Sequence, residues 1–313
     1  MTHPADRQVQ YLGVLRAAGA ALALALVAGC TTVADEPVAA VAVAGMAADS
    51  TAGPDALVLA EQALDDGRLG DARMLLSRAV LATGETPRAR LIAAELHLAS
   101  GAYADAVKAF GALVQDPAVG PSALQGEGIA LALAEGNAAA GEASLRAAVR
   151  QDPSLWRAWN TLGVHYDTLG DWRQAGISYN NALAVHPASA MILNNRGFSF
   201  LMQGRVAEAM ADLSEAVRQD PSLAPAHENL RLALAWDGQY AQALAGAEDD
   251  VLGRALNNVG FVAMVRGDHD RAEAYLLQAI EADPAYNTVA ARNFVTLRHM
   301  RQGSPKAASP LPQ

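Results

Sequence analysis

Seven glycines recur along the chain at a nearly constant interval: Gly67, Gly101, Gly136, Gly170, Gly204, Gly238 and Gly267. The spacings are 34, 35, 34, 34, 34 and 29 residues. A second ladder runs five residues behind the first, at Ala72, Ala106, Gly141, Ala175, Ala209, Ala243 and Ala272. A third holds proline, at Pro117, Pro153, Pro187, Pro221 and Pro284. A fixed period of this length marks an array of stacked structural units. Each ladder has a physical role. The glycine ends a helix where the backbone turns left-handed, which costs other residues about 1 kcal/mol or more. The alanine sits where two helices cross closely. The proline opens the next unit, because it cannot continue a helix interior. Each period therefore predicts helix, turn, helix, turn. One such hairpin cannot bury its apolar face alone, whereas stacked neighbours bury a continuous core. Composition agrees: 52% of residues are hydrophobic but only 5% aromatic, so small and aliphatic side chains dominate and favour closely packed helices.

The best-kept unit spans 156–189 and holds Trp159, Leu162, Gly163, Tyr166, Gly170, Trp172, Ala175, Tyr179, Ala182 and Pro187. It resembles the tetratricopeptide repeat (TPR), W-x2-L-G-x2-Y-x8-A-x3-F-x2-A-x4-P, with Tyr179 in place of the Phe. The last copy keeps Leu256, Gly260, Gly267, Ala272, Leu276, Ala279 and Pro284. Weaker copies begin near residues 53, 87, 122, 190, 224 and 253, so the resemblance covers roughly 53–284. It implies an all-α TPR α-solenoid, a superhelical stack of about seven helix hairpins. The copy from 122 departs most, with Ile129 and Gly141 where Gly and Ala belong. The junction before the last copy is five residues short, so the turn at Glu248-Asp249-Asp250 should be tighter or a helix shorter. Residues 287–302 read as a C-terminal capping helix, with Val289, Phe294, Val295, Leu297 and Met300 covering the open end of the stack.

The start of the chain reads as an address. Arg7 and Arg16 precede Ala17 to Ala28, a run of twelve uncharged residues rich in Ala and Leu. That is too short for a bilayer, which needs about 20 apolar residues, but it has the length of a signal-peptide core. The run ends Leu26-Val27-Ala28-Gly29-Cys30, and Cys30 is the only cysteine. These residues resemble the lipobox of bacterial lipoproteins. The resemblance implies a diacylglycerol thioether on Cys30, cleavage before it, and acylation of the new amino group. Thr31 replaces the Asp that retains such proteins at the inner membrane of enteric bacteria. The expected destination is the outer membrane, facing the periplasm. The domain organisation is then signal peptide 1–29, lipidated cysteine and flexible tether 30–52, TPR superhelix with capping helix 53–303, and disordered tail 304–313.

Little in the sequence suggests chemistry. A single cysteine excludes an internal disulfide framework and a cysteine-based zinc cluster. The net charge of -10 (23 basic, 33 acidic residues) carries no basic footprint for nucleic acid. No nucleophile constellation, phosphate-binding glycine loop or H-E-x-x-H occurs, and no cofactor or metal is expected. Gly126-Glu127-Gly128 belongs to a helix. Asp268-His269-Asp270 reads as a helix start, with acidic residues near the positive end of the macrodipole. His165 reads as a packed histidine beside Tyr166. Arg196 and Asp212 occupy facing places within one hairpin and predict an interhelical ion pair.

By the TPR resemblance, the first helix of each pair lines a concave groove. That places Asn160, Val164 and Asp167 in the groove, then Met191, Asn194, Asn195, Phe198, Leu201 and Met202. Glu228, Asn229 and Leu232 follow, and then Arg254, Asn257, Asn258, Phe261 and Met264. Asparagine amides both donate and accept without charge, and Phe and Met give adaptable apolar contacts, which suits a bound peptide. The same amides equally serve contacts between neighbouring helices. The Lys/Arg carboxylate clamp of chaperone-binding TPRs is not reproduced. A lipobox, a tether and such repeats are similar to the Tad (Flp) pilus assembly lipoproteins, and also resemble the pilotins of type IV pili. The run from Ala255 to Met264 followed by Arg266-Gly267-Asp268 looks most like the Tad group. The resemblance implies a non-enzymatic scaffold whose partner is a secretin or another pilus component. The alternative is an adaptor for peptidoglycan or other envelope enzymes.

Overall fold

The computed structural model describes residues 54–134, 136–282 and 287–303. The signal, Cys30, the tether, Pro284 and the tail lie outside the described residues. Every regular element among the described residues is an α-helix. The chain divides at Ser189 into two compact units.

The first unit holds four hairpins: α1 (Pro54–Asp65) with α2 (Leu69–Thr83), α3 (Pro87–Ala99) with α4 (Tyr103–Gly111), α5 (Gly120–Leu133) with α6 (Ala138–Gln151), and α7 (Trp156–Leu169) with α8 (Trp172–Val185). The second unit holds α9 (Ala190–Met202) with α10 (Val206–Gln219), α11 (Ala224–Asp237) with α12 (Tyr240–Leu244), α13 (Asp249–Arg266) with α14 (His269–Ala282), and a final helix α15 (Asn287–Gly303). Seven hairpins and one closing helix match the period read from the sequence. Within each unit, a helix packs against its hairpin partner and against the first helix of the next hairpin.

All seven ladder glycines have φ between 72° and 89°. Gly170 shows why. It caps α7 in the left-handed region, its N–H bonds the Asp167 carbonyl, and the N–H of Asp171 reaches back to Tyr166. Asp171 then caps α8 by accepting from the Gln174 N–H at 3.1 Å. The connections between hairpins are locally built too. Asp152 Oδ1 accepts from the backbone N–H and hydroxyl of Ser154, at 2.9 and 2.6 Å. Asp220 repeats the arrangement with Ser222. Trp159 Nε1 donates to the Pro153 carbonyl at 3.0 Å, fastening the turn to α7.

The alanine ladder is fully enclosed: Ala72, Ala106, Ala175, Ala209, Ala243 and Ala272 are each 0% exposed. At the same level, the glycine of the first helix receives a large side chain from the second. A Cβ on Gly163 would stand 2.6 Å from the Tyr179 ring, and one on Gly197 would stand 2.7 Å from Leu213. The divergent α5–α6 hairpin solves the same problem one place earlier, where a Cβ on Gly128 would stand 2.5 Å from Leu145. A Cβ on Gly141 would lie 2.9 Å from the Gly128 carbonyl, and one on Gly126 would enter the Phe110 ring. Gly126 and Gly128 lie within α5, as expected.

The short junction takes one of the two expected forms. Helix α12 keeps only five residues, while α13 begins at Asp249 and runs for 18 residues. The closing helix departs from its expected face. Ala290 and Leu297 are buried, and Phe294 and Met300 pack on the second unit's core. Val289 and Val295, expected to join them, are exposed. Val295 falls on the side of the helix opposite Leu297, whereas Val289 lies on its flank, and Ala290, two turns before Leu297, takes the inner place instead.

Candidate peptide-binding face

In the first unit, Asn160 and Val164 on α7 are buried. Asp167 lies at the end of that helix and accepts the Tyr179 hydroxyl at 2.8 Å. Burial, with the Asp167 carboxylate adding to it, holds the Tyr179 hydroxyl well above the usual phenol range. This contact fixes the two helices of the hairpin rather than preparing an acid or base.

In the second unit the asparagines form bonds from helix to helix. Asn229 Nδ2 on α11 donates to Asn194 Oδ1 on α9 at 2.9 Å, and Asn194 Nδ2 donates to Asn195 Oδ1 at 3.2 Å. Further along, Asn293 Nδ2 on α15 donates to Asn257 Oδ1 on α13 at 2.9 Å. Asn194, Asn195, Asn229 and Asn257 are all buried, as are Leu201, Met202 and Met264. Buried amides must be paired, so these bonds are part of the core. Phe198, Asn258 and Phe261 are half-buried and keep part of their surface open.

One cleft holds part of the predicted face, without Phe198 and Phe261. It is a shallow cleft between α11 and α13, about 330 Å³ counting the solvent in its mouth. Glu228, Leu232, Arg254 and Asn258 line it, all placed in the groove by repeat register. Arg254 donates to Glu228 across the cleft. Sequence reasoning missed Arg231, Ala235, Val251, Ala255 and Val259, which complete the lining. Arg231 donates to the Gly246 carbonyl at 3.2 Å, holding the connection after α12. Val251 belongs to the extra first turn of α13. The signal was the five-residue deficit in the period: shortening α12 frees residues that lengthen α13, and the added turn becomes a wall. The arrangement offers an apolar floor, a charged pair, and the Asn258 amide, whose Oδ1 also accepts from Asn257 Nδ2 at 3.3 Å. That combination suits a peptide side chain and its backbone.

The other chemical candidates are structurally occupied. Asp268 accepts the Tyr240 hydroxyl and lies 3.8 Å from Arg266 Nε, while Asp270 and Glu273 both hold Arg301. His165 Nε2 lies 3.2 Å from Glu142 Oε2, and Tyr166 donates to Glu142 Oε1 at 2.9 Å. Partial burial opposes ionisation of Glu142, but hydrogen bonds from Tyr166, Arg146 and His165 outweigh it and hold the carboxyl below its usual range. Among the described residues, no group of three His, Cys, Asp or Glu side chains is placed to hold a metal ion.

The tetratricopeptide repeat family is matched over residues 57–120, 130–180 and 161–224, and again over 253–286. The chain belongs to the tetratricopeptide repeat family. No curated protein matches this TPR chain. Among solved structures it is similar to a chain of the APC/C hetero-tetramer Cut9–Hcn1, with 14% identity and a TM-score of 0.57. That match covers 77% of this chain and 48% of the other, so the TPR chain spans about half the length of that relative. It is also similar to a thermophilic TPR protein of Thermus thermophilus, at 24% identity over 61% of this chain and 97% of that one, with a TM-score of 0.49. PilW, a type IV pilus biogenesis factor, is similar at 22% identity over 54% of this chain and 87% of its own, with a TM-score of 0.38. The Cut9–Hcn1 match bears on fold alone.

Proposed function

We propose that this TPR protein is a non-enzymatic scaffold, lipid-anchored at Cys30 on the periplasmic side of the outer membrane, that holds protein partners during assembly of an envelope machine. The machine is the Tad (Flp) pilus, and the partner is its secretin or an associated component. The observation that carries the binding reading is the α11–α13 cleft. It joins an apolar floor to Asn258 and the Glu228–Arg254 pair in a repeat family that works through protein–protein contacts. Its interior is accessible, whereas buried Asn194, Asn229 and Asn257 are already bonded to neighbouring helices. The sequence Leu26-Val27-Ala28-Gly29-Cys30 supports the anchor, and several acyl chains would make attachment stable. The resemblance of residues 255–268 to the Tad lipoproteins supports the choice of machine.

Two measurements test the proposal. Labelled palmitate should enter the wild-type protein and not Cys30→Ala; absence of label from the wild type removes the anchor. A photoreactive residue at Asn258 or Phe261 should crosslink to secretin or pilus components in intact cells. Crosslinks to peptidoglycan hydrolases or synthases would replace the pilus reading with that of an envelope-enzyme adaptor, and no protein crosslink at either position would overturn the cleft as a binding site.

A further inference from the structure

A repeat array is held by contacts between neighbouring units, so its curvature is set one junction at a time. The ion pairs Arg88–Glu61, Arg254–Glu228 and Arg301–Glu273 obey this rule: each joins one hairpin to the next, or the last hairpin to the closing helix. Arg157 and Glu95 do not. They stand 62 residues apart, Glu95 on α3 and Arg157 on α7, with the whole α5–α6 hairpin between them in the chain.

Arg157 Nη1 lies 3.3 Å from both carboxylate oxygens of Glu95, and Nη2 lies 3.4 Å from Oε2. Helix α5 packs against both α3 and α7. It brings little bulk to the crossing. It opens Gly120-Pro121-Ser122-Ala123, and Ala123 is fully enclosed. The Gln125 side chain is buried and turned to α7, where its Oε1 accepts the Ala158 N–H at 3.0 Å. Two long side chains can therefore meet from either side of α5. Both hold groove places by repeat register, Glu95 that of Val164 and Arg157 that of Met191 and Arg254. A bond between alternate first helices, on the side where a curved stack draws them together, ties the curve at its current radius.

The tie is a light one. Its three contacts are longer than the usual N–H···O range, and the two side chains are 30% and 22% exposed. Water and ions reach such a pair, and the screening length falls from about 14 Å at 50 mM salt to about 4 Å at 500 mM.

We propose that Glu95 and Arg157 form a clasp that holds the concave side of the first unit narrow, and that its release lets α3 and α7 move apart. The unit then has a closed setting while the pair is made and an open one when the pair is screened or broken. The closed setting leaves less room for a polypeptide on that side. The clasp is independent of the α11–α13 cleft, which belongs to the second unit.

Spin labels on α3 and α7 test this by double electron–electron resonance. His97→Cys and Thr168→Cys place them at exposed positions of the two helices, in the full chain carrying Cys30→Ala so that only the introduced thiols react. Raising salt from low to high should lengthen and broaden the distance distribution in this parent protein. Glu95→Gln should give the longer distance at low salt and abolish the response to salt. Glu95→Arg alone and Arg157→Glu alone should each lengthen the distance by repulsion, with an unchanged circular dichroism spectrum. Glu95→Arg combined with Arg157→Glu should bring the short distance back. A distance that salt does not move in the parent, that Glu95→Arg leaves unchanged in a folded chain, or that the exchanged pair fails to shorten would overturn the clasp. The salt response of the parent needs no change at either residue, so the test survives a variant that fails to fold.

Discussion

Arg196 and Asp212 face each other across the α9–α10 hairpin through two hydrogen bonds, Nε to Oδ2 at 2.6 Å and Nη2 to Oδ1 at 2.8 Å. Arg196 stands where other copies hold Leu162, Leu230 and Val259, and the side chains of the pair are 23% and 12% exposed. Removing one partner strands the other in a poorly hydrated place. Arg196→Met should therefore cost roughly 3 kcal/mol in urea unfolding. Arg196→Met with Asp212→Leu should recover most of that loss. Strictly additive effects of the two changes would show that the pair is not energetically coupled.

Two glycines in the same hairpin should respond oppositely to alanine. Gly163 is pressed by the Tyr179 ring, with a Cβ position 2.6 Å away, so Gly163→Ala forces a shift costing about 1–3 kcal/mol. Gly176 lies inside α8 with nothing within 4 Å of its Cβ position and no positive φ. Gly176→Ala should stabilise the chain by up to about 1 kcal/mol through helix propensity. Thermal unfolding midpoints that move in the same direction for both variants would contradict this account.

The Tyr240 hydroxyl is buried and donates to Asp268, and together these push its pKa up to about 12. The folded state thus favours the protonated phenol. That contribution is fully present below the ordinary tyrosine pKa near 10 and is lost as pH rises from there to about 12. Its size is at most about 3 kcal/mol. Tyr240→Phe should be less stable than wild type at pH 9 and should lose less further stability between pH 9 and pH 12. Parallel losses in the two proteins would remove Tyr240 from the alkaline response.

Asparagines at related register places should separate into two kinds. Asn229→Ala deprives Asn194 of a buried donor and should cost about 1–3 kcal/mol. Asn258→Ala, at the cleft, removes the acceptor of one long bond, from Asn257 Nδ2 at 3.3 Å on the same helix, and should cost less, under about 1 kcal/mol, while weakening partner crosslinking. Equal stability losses would assign Asn258 to the core as well.

The glycine and alanine ladders were readable because each meets a backbone constraint with one cheap solution. A helix must end at Gly170 in a left-handed turn, and nothing larger than Ala175 fits at the crossing. The Arg196–Asp212 pair was readable because two opposite charges shared facing places. The asparagines were less legible. Asn194 and Asn229 are one period apart, and an amide at that register reaches either an incoming peptide or the neighbouring helix with equal ease. Their bonds to each other are a matter of distance, which spacing alone does not give. The cleft was hidden for another reason: the short junction allowed either a tight turn or a short helix, and only the short helix with a lengthened α13 creates a wall at Val251.

Helix α12 retains hardly more than one turn, anchored by Tyr240 and Ala243, in a place where every other hairpin carries nine residues or more. Local opening begins where the fewest backbone bonds must break together. Among the described hairpins, amide deuterium uptake should therefore appear first at residues 240–248. A load passed along the chain would find its weakest link beside the candidate cleft, so that a tug on the protein alters the cleft before it unravels the rest.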